Sequence, residues 1–299
     1  MRSLASLLLG ASLLCAHPAL AQDSKGLSLT PTRTLRYDAH EATWMQPDMS
    51  PDGRTILFDL LGDIYALDAG GGTAQPLLTG MAFERNPVFS PDGKQFAFLS
   101  DRSGVTNLWI ANADGTGLKQ LSQDQSLAIY SSPAWSPDGR SVYVSRTVHS
   151  ILAFELFMYD RDGGSGIQIT KAGSPDNWDA KMNAMGAVAT PDGRYLYYAT
   201  KRGHTWTEND LPNWSIARRD LKNGQDETII QSAGGAMRPA LSHDGKLLAY
   251  ASRQGQKDGL RLRNLETGED KWIAFPIDRD GQDGGYYADL LPRFSFMPG

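Results

Sequence analysis

Five times along the chain a stretch of alternating apolar and polar residues follows the same polar corner. The stretches are "TILFDL" (55–60), "QFAFLS" (95–100), "SVYVSR" (141–146), "YLYYAT" (195–200) and "LLAYAS" (247–252). Period-two alternation rich in β-branched and aromatic residues predicts strands. A second strand follows each: "DIYALD", "NLWIAN", "ELFMYD", "NWSIAR" and "GLRLRN". A glycine-rich turn comes next, then a short closing run: "PLL", "KQLS", "IQIT", "TII" and "KWIAF". Before each corner lies one more short segment: "QPDM", "NPVF", "SPAW", "GAVA" and "RPAL". Each unit is therefore four short strands joined by turns.

The corner itself reads Ser-Pro-Asp-Gly at 50–53, 90–93 and 136–139, Thr-Pro-Asp-Gly at 190–193 and Ser-His-Asp-Gly at 242–245. Proline at the second position of a type I turn has the φ the turn needs. The hydroxyl residue before it can bond the backbone, and glycine can leave in the left-handed conformation. Asp52, Asp92, Asp138, Asp192 and Asp244 are thus read as turn residues rather than acids or ligands. They recur at steps of 40, 46, 54 and 52 residues, a period that marks stacked or radially repeated units. Four antiparallel strands per unit make the expected fold an all-β propeller, with five full repeats. The last residues, "LLPRFSFMPG" (290–299), look like the start of a sixth, so the expected ring is incomplete. The longer steps carry inserts at 147–154 and 201–212. Such loops gather at one face of a propeller, often a binding face.

The unit "SPDGKQFAFLSDRSGVTNLWIANADGTGLKQLS" (90–122) resembles the TolB-type, WD40-like propeller repeat. The likeness lies in its hydrophobic spacing, in Ser-Asp-Arg after the second strand and in the Asn-Ala-Asp-Gly-Thr turn. It covers most of 43–299. A narrower similarity, carried by 42–72 and 283–299, is to the N-terminal propeller of periplasmic amidohydrolases that bear this repeat. The resemblance implies a binding or scaffold module, the front part of a larger metal-dependent amidohydrolase-like protein. Two alternatives stand beside it: a TolB-like translocation protein, and the propeller of a serine peptidase. No catalytic residue of these families maps onto the sequence, and its enzymatic status stays open.

Residues 1–21 read as a secretory signal: Arg2, an apolar run from Leu4 to Ala16, and the small-x-small site Ala19-Leu20-Ala21. The expected product is periplasmic or secreted. The apolar run is too short to span a bilayer, so no membrane span is expected. Cys15, the single cysteine, lies inside the signal, and stability must come from burial and strand pairing. Segment 22–42 can supply one ring-closing strand ahead of the propeller at 43–299. Net charge is −5 and hydrophobic content 40%, which gives an ordinary core and argues against nucleic acid as a partner. A protein partner, or a catalytic domain following the propeller, is expected instead.

Candidate chemistry is sparse. There is no Gly-x-Ser-x-Gly elbow, no phosphate loop and no paired histidine motif. His40, beside Glu41, and His204, in the long insert, are the histidines with functional potential. "YDRDGGSG" (159–166) and "DRDGQDGG" (278–285) resemble calcium loops but lack the terminal glutamate, so no cofactor is expected. Trp109 and Trp135 lie on strands and are assigned to the core. Trp178, His204, Trp206 and Trp214 lie on or beside inserts and form the predicted rim for a ligand or partner.

Overall fold

The computed structural model describes residues 33, 35, 38–42, 45–148, 153–171, 182–203, 213–277 and 293–298. The signal sequence and most of the 22–42 segment therefore lie outside the described residues. The described residues form five antiparallel sheets of four strands, each made of consecutive strands. The first blade holds β1 (Asp48–Met49), β2 (Thr55–Leu60), β3 (Asp63–Asp68) and β4 (Gln75–Leu78). The second holds β5 (Glu84–Phe89), β6 (Gln95–Ser100), β7 (Asn107–Asn112) and β8 (Lys119–Gln120). The third holds β9 (Tyr130–Trp135), β10 (Ser141–Thr147), β11 (Phe154–Asp160) and β12 (Ile167–Gln168). The fourth holds β13 (Met182–Ala189), β14 (Tyr195–Arg202), β15 (Ser215–Asp220) and β16 (Asp226–Ile230). The fifth holds β17 (Met237–Leu241), β18 (Leu247–Gln254), β19 (Lys257–Asn264) and β20 (Asp270–Ile277). The predicted propeller and its five repeats are what the chain builds. Among the described residues no helix is long and apolar enough to cross a membrane.

The five corners are one structure repeated. In each, the glycine N–H donates to the Ser or Thr carbonyl three residues earlier, at 2.8–2.9 Å. The Ser or Thr hydroxyl donates to the aspartate at 2.5–2.7 Å. The same carboxylate accepts the N–H two residues on, as Arg54 N does at 3.1 Å. The hydroxyl bond first, and then the backbone N–H, hold all five carboxyls below their ordinary value of 3.8. A carboxyl whose pKa falls on folding stabilises the fold above the unfolded value, and that contribution disappears as pH drops through the folded value. Urea denaturation is therefore expected to show a midpoint that declines as pH falls below 3.8. A variant with asparagine at all five aspartates should decline less over the same range; an equal decline would place the acid sensitivity elsewhere.

The cores lie between blades rather than within them. The second strand sends the residues six and eight places after each corner's first residue toward the preceding blade. The residue seven places after faces the following blade. Phe96 and Phe98 thus pack with Leu57 and Ile64, Val142 and Val144 with Ala97 and Leu99, and Leu248 and Tyr250 with Tyr197. From the second blade onward these six- and eight-place residues are at most 5% exposed. In the first blade the same positions are Ile56 and Phe58. Both are only half-buried, and Phe58 stacks on Tyr65 of its own sheet, centroids 5.6 Å apart.

That difference locates a sixth place in the ring. Three turn prolines, Pro51, Pro91 and Pro191, sit on the turn glycine of the next blade. A methyl built on Gly93 would lie 3.4 Å from Pro51, and one on Gly139 3.7 Å from Pro91. A methyl on Gly53 would lie 3.5 Å from Pro298. Residues 293–298 therefore stand beside the first blade where a preceding blade's innermost strand belongs. Arg293 N donates to Gln46 Oε1 at 3.0 Å, and its guanidinium reaches Asp48 Oδ1 at 3.3 Å.

Candidate functional site

The innermost strands share a defect. β5, β9, β13 and β17 each lose register against their neighbour at one point. Asn86, Ser132, Gly186 and Arg238, each four residues before its corner, adopt φ of 53–65° there. A bulge leaves one residue unpaired and twists the strand. Pro87, Pro133 and Pro239 follow three of the four; proline has no N–H to lose, so it suits a break in the ladder. The left-handed conformation costs a non-glycine residue of order 1–2 kcal/mol, and here it recurs around one axis.

These bulges line a cavity of about 350 Å³ at the end of the ring where the corners lie. Its walls include the turn prolines Pro51 and Pro91, with Phe89, Trp135, Phe294 and Phe296. Trp135 Nε1 donates to Val88 O at 3.0 Å, which holds the indole against β5. Arg238 reaches across the axis. One guanidinium nitrogen donates to Ser132 Oγ of the third blade at 2.8 Å and another to Gln46 Oε1, just before β1, at 3.0 Å. Asp48 is buried beneath, accepting Phe89 N at 2.8 Å and pairing with Arg293. Burial raises its carboxyl above the ordinary value; the Arg293 charge and the Phe89 N–H pull it partly back.

Asn86 differs from the rest of the wall. Its backbone N–H donates to Asp59 Oδ2 at 2.7 Å. The residue is 1% exposed, yet among the described residues neither amide atom has a hydrogen-bond partner. A buried amide left unsatisfied costs roughly 1–3 kcal/mol. Asn86 thus belongs to a wall of aromatic and proline residues, its amide covered in this structure and unpaired among the described residues. Among the described residues no three His, Cys, Asp or Glu side chains gather closely enough to hold a metal ion.

The predicted rim fares differently. Trp178, His204 and Trp206 lie outside the described residues. Trp214 does not face solvent: it is 0% exposed and packs with Phe154, Met185, Met237 and Ala251 from three blades. The insert beside it suggested exposure, but the packing of neighbouring blades buries it as core. His40 and His243 are exposed, the latter at the cavity edge. Asp160, in the first calcium-like loop, accepts Asp162 N at 2.7 Å as a turn residue; 278–285 lies outside the described residues. What the sequence reading passed over is the residue four before each corner. The strands "NPVF", "SPAW", "GAVA" and "RPAL" differ as much at their last letter as at their first, so no local signal marks that residue.

Residues 33–208 match the TolB beta propeller domain. The chain is 34% identical over 98 residues to the Tol-Pal system protein TolB of Anaeromyxobacter dehalogenans, covering 30% of this chain and 21% of that protein. It is 23% identical over 223 residues to the uncharacterized peptidase YuxL of Bacillus subtilis, covering 71% of this chain and 30% of the peptidase. A solved structure from Agrobacterium tumefaciens assigned as TolB superposes with a TM-score of 0.62 at 22% identity, over 76% of this chain and 79% of that one. The chain spans 21% to 42% of the length of these and similar curated relatives. With more than half of its residues matched, and with a propeller of four-stranded blades as its fold, the chain belongs to the TolB beta propeller domain family.

Proposed function

We propose that this propeller is an exported binding module that takes an extended polypeptide segment at the mouth of its channel. The observation that carries the reading is the Asn86 side chain, on the wall of the cavity, buried and without a partner among the described residues. An asparagine amide pairs with a peptide group donor to acceptor and acceptor to donor. The proline and aromatic walls suit an extended chain with apolar side chains, the composition typical of recognition sites with a few placed polar groups. The family membership supports a protein partner, since one similar protein is a component of the Tol-Pal system.

In this proposal the module works as the front part of a larger amidohydrolase-like protein, the propeller presenting or admitting what a separate domain processes. The sixth place, occupied among the described residues by 293–298 alone, supports further strands beside the first blade. A second reading, the propeller of a peptidase, is favoured by the similarity to YuxL over 71% of the chain.

The test is a titration of the mature protein with a library of nine-residue synthetic peptides, read by calorimetry. Asn86→Gly removes the amide while keeping a residue that accepts the positive φ. It is expected to weaken the best peptide by about tenfold, the equivalent of roughly 1.4 kcal/mol. Binding that is indifferent to this substitution, or no binding by any peptide, would refute the channel as the site.

A further inference from the structure

At the far end of β2 from the corner, the chain turns through Leu61 and Gly62. Leu61 adopts φ 54° and is 76% exposed. An asparagine or glycine would relieve both the backbone strain and the apolar exposure. The matching hairpin of the fifth blade, between β18 and β19, uses the polar pair Gly255-Gln256. The two-residue hairpin calls for positive φ here, and strained residues of this kind cluster at functional sites.

Leu61 is not alone. Phe83 abuts the same turn: a methyl on Gly62 would meet its ring at 2.8 Å. Phe83 and Met81 are each 55% exposed. The loop that carries them is pinned. Gly80 N donates to Asp63 Oδ1 at 3.2 Å, Phe83 N to Asp101 Oδ1 at 2.8 Å, and Glu84 N to Gly62 O at 2.8 Å. Three large apolar side chains thus project from a preorganised backbone, which lowers the ordering cost of binding. Two carboxylates, Asp63 and Asp101, stand beside them on the loop N–H groups; Glu84 is buried and answered by Arg102. Arg85 turns away, donating to Tyr130 O at 2.9 Å.

We propose that Leu61, Met81 and Phe83 form a docking knob for a second protein, one that offers an apolar pocket rimmed by lysine or arginine. This surface lies at the opposite end of the ring from the channel mouth and does not depend on the channel reading. Charge selects the occupant. A second copy would set Asp63 and Asp101 against their own images, and an anionic membrane would meet the same carboxylates.

The probe is an 18-residue amphipathic helical peptide of leucine and lysine, added to the mature protein and read by fluorescence anisotropy and hydrogen exchange (a length of about five turns). It is expected to bind and to protect residues 61–63 and 80–84. Leu61→Asn keeps every charge and relieves the strained turn. It should melt about 2 °C higher and yet bind about tenfold more weakly; Phe83→Ala should weaken binding similarly. Affinity unchanged by Leu61→Asn would mean that charge alone attracts the peptide, and would overturn the proposal. So would equal binding of a leucine–glutamate peptide, Leu61-dependent binding to phosphatidylglycerol vesicles, or a dimer in light scattering that Leu61→Asn dissolves.

Discussion

Asp59→Ala is expected to lower the unfolding free energy by about 3 kcal/mol. The Asp59 carboxylate accepts Gln46 N at 2.8 Å and Asn86 N at 2.7 Å, tying the segment just before β1 to β5 of the second blade. Asp59 is itself buried, and removing it strands two backbone N–H groups away from water. Each such orphan costs roughly 1–3 kcal/mol. Asp59→Asn, which keeps one acceptor oxygen, should recover about half. Asp59→Leu copies Leu99, the corresponding residue of the second blade, yet should be no better than alanine, because shape does not satisfy a donor. Chemical denaturation of the three variants checks the order. An alanine variant within about 0.5 kcal/mol of the parent, the range of an ordinary surface substitution, would show that the two amides have other partners.

A second large effect is expected between blades. Phe98→Ala should cost about 3–5 kcal/mol, the usual range for emptying a fully buried phenylalanine site. Phe98 is 0% exposed and closes the junction of the first two blades. Phe58 occupies the same place in the repeat but faces the sixth position, where it is half-buried. Phe58→Ala should therefore cost less than half as much. The pair also tests the proposal that this module belongs to a longer polypeptide. If further strands are joined to the chain and fill the sixth place, the cost at Phe58 should rise toward that at Phe98. A cost at Phe58 that stays low in the extended protein, or equals that at Phe98 in the present chain, would count against an open sixth place.

Much of the fold was legible along the chain because its information is local. The turn chemistry of Ser50 to Gly53 needs four residues, and the alternation in "QFAFLS" needs six; neither depends on distant contacts. Repetition then supplied the architecture, since five like units with one corner sequence leave few alternatives to a ring. The first letter of "NPVF" gave no local hint of its importance. Asn86 and Arg238 matter because four bulges converge on one axis, and convergence is a property of how the blades are set around it. Trp214 shows the reverse error. Its neighbours in sequence belong to an insert, but its neighbours in space come from three blades and exclude water from it.

By itself, the sequence determined the strands, the corners, their count and the propeller they imply, because backbone preference and period-two burial act over a few residues. The tertiary structure alone decided which side of each strand is covered. It decided that 293–298 takes the sixth place, that Arg238 reaches Ser132 and Gln46 across the axis, and that the Asn86 side-chain amide has no partner among the described residues. Those outcomes depend on how blades are juxtaposed. The energy of a buried amide or a half-covered phenylalanine is set by atoms tens to hundreds of residues away in the chain.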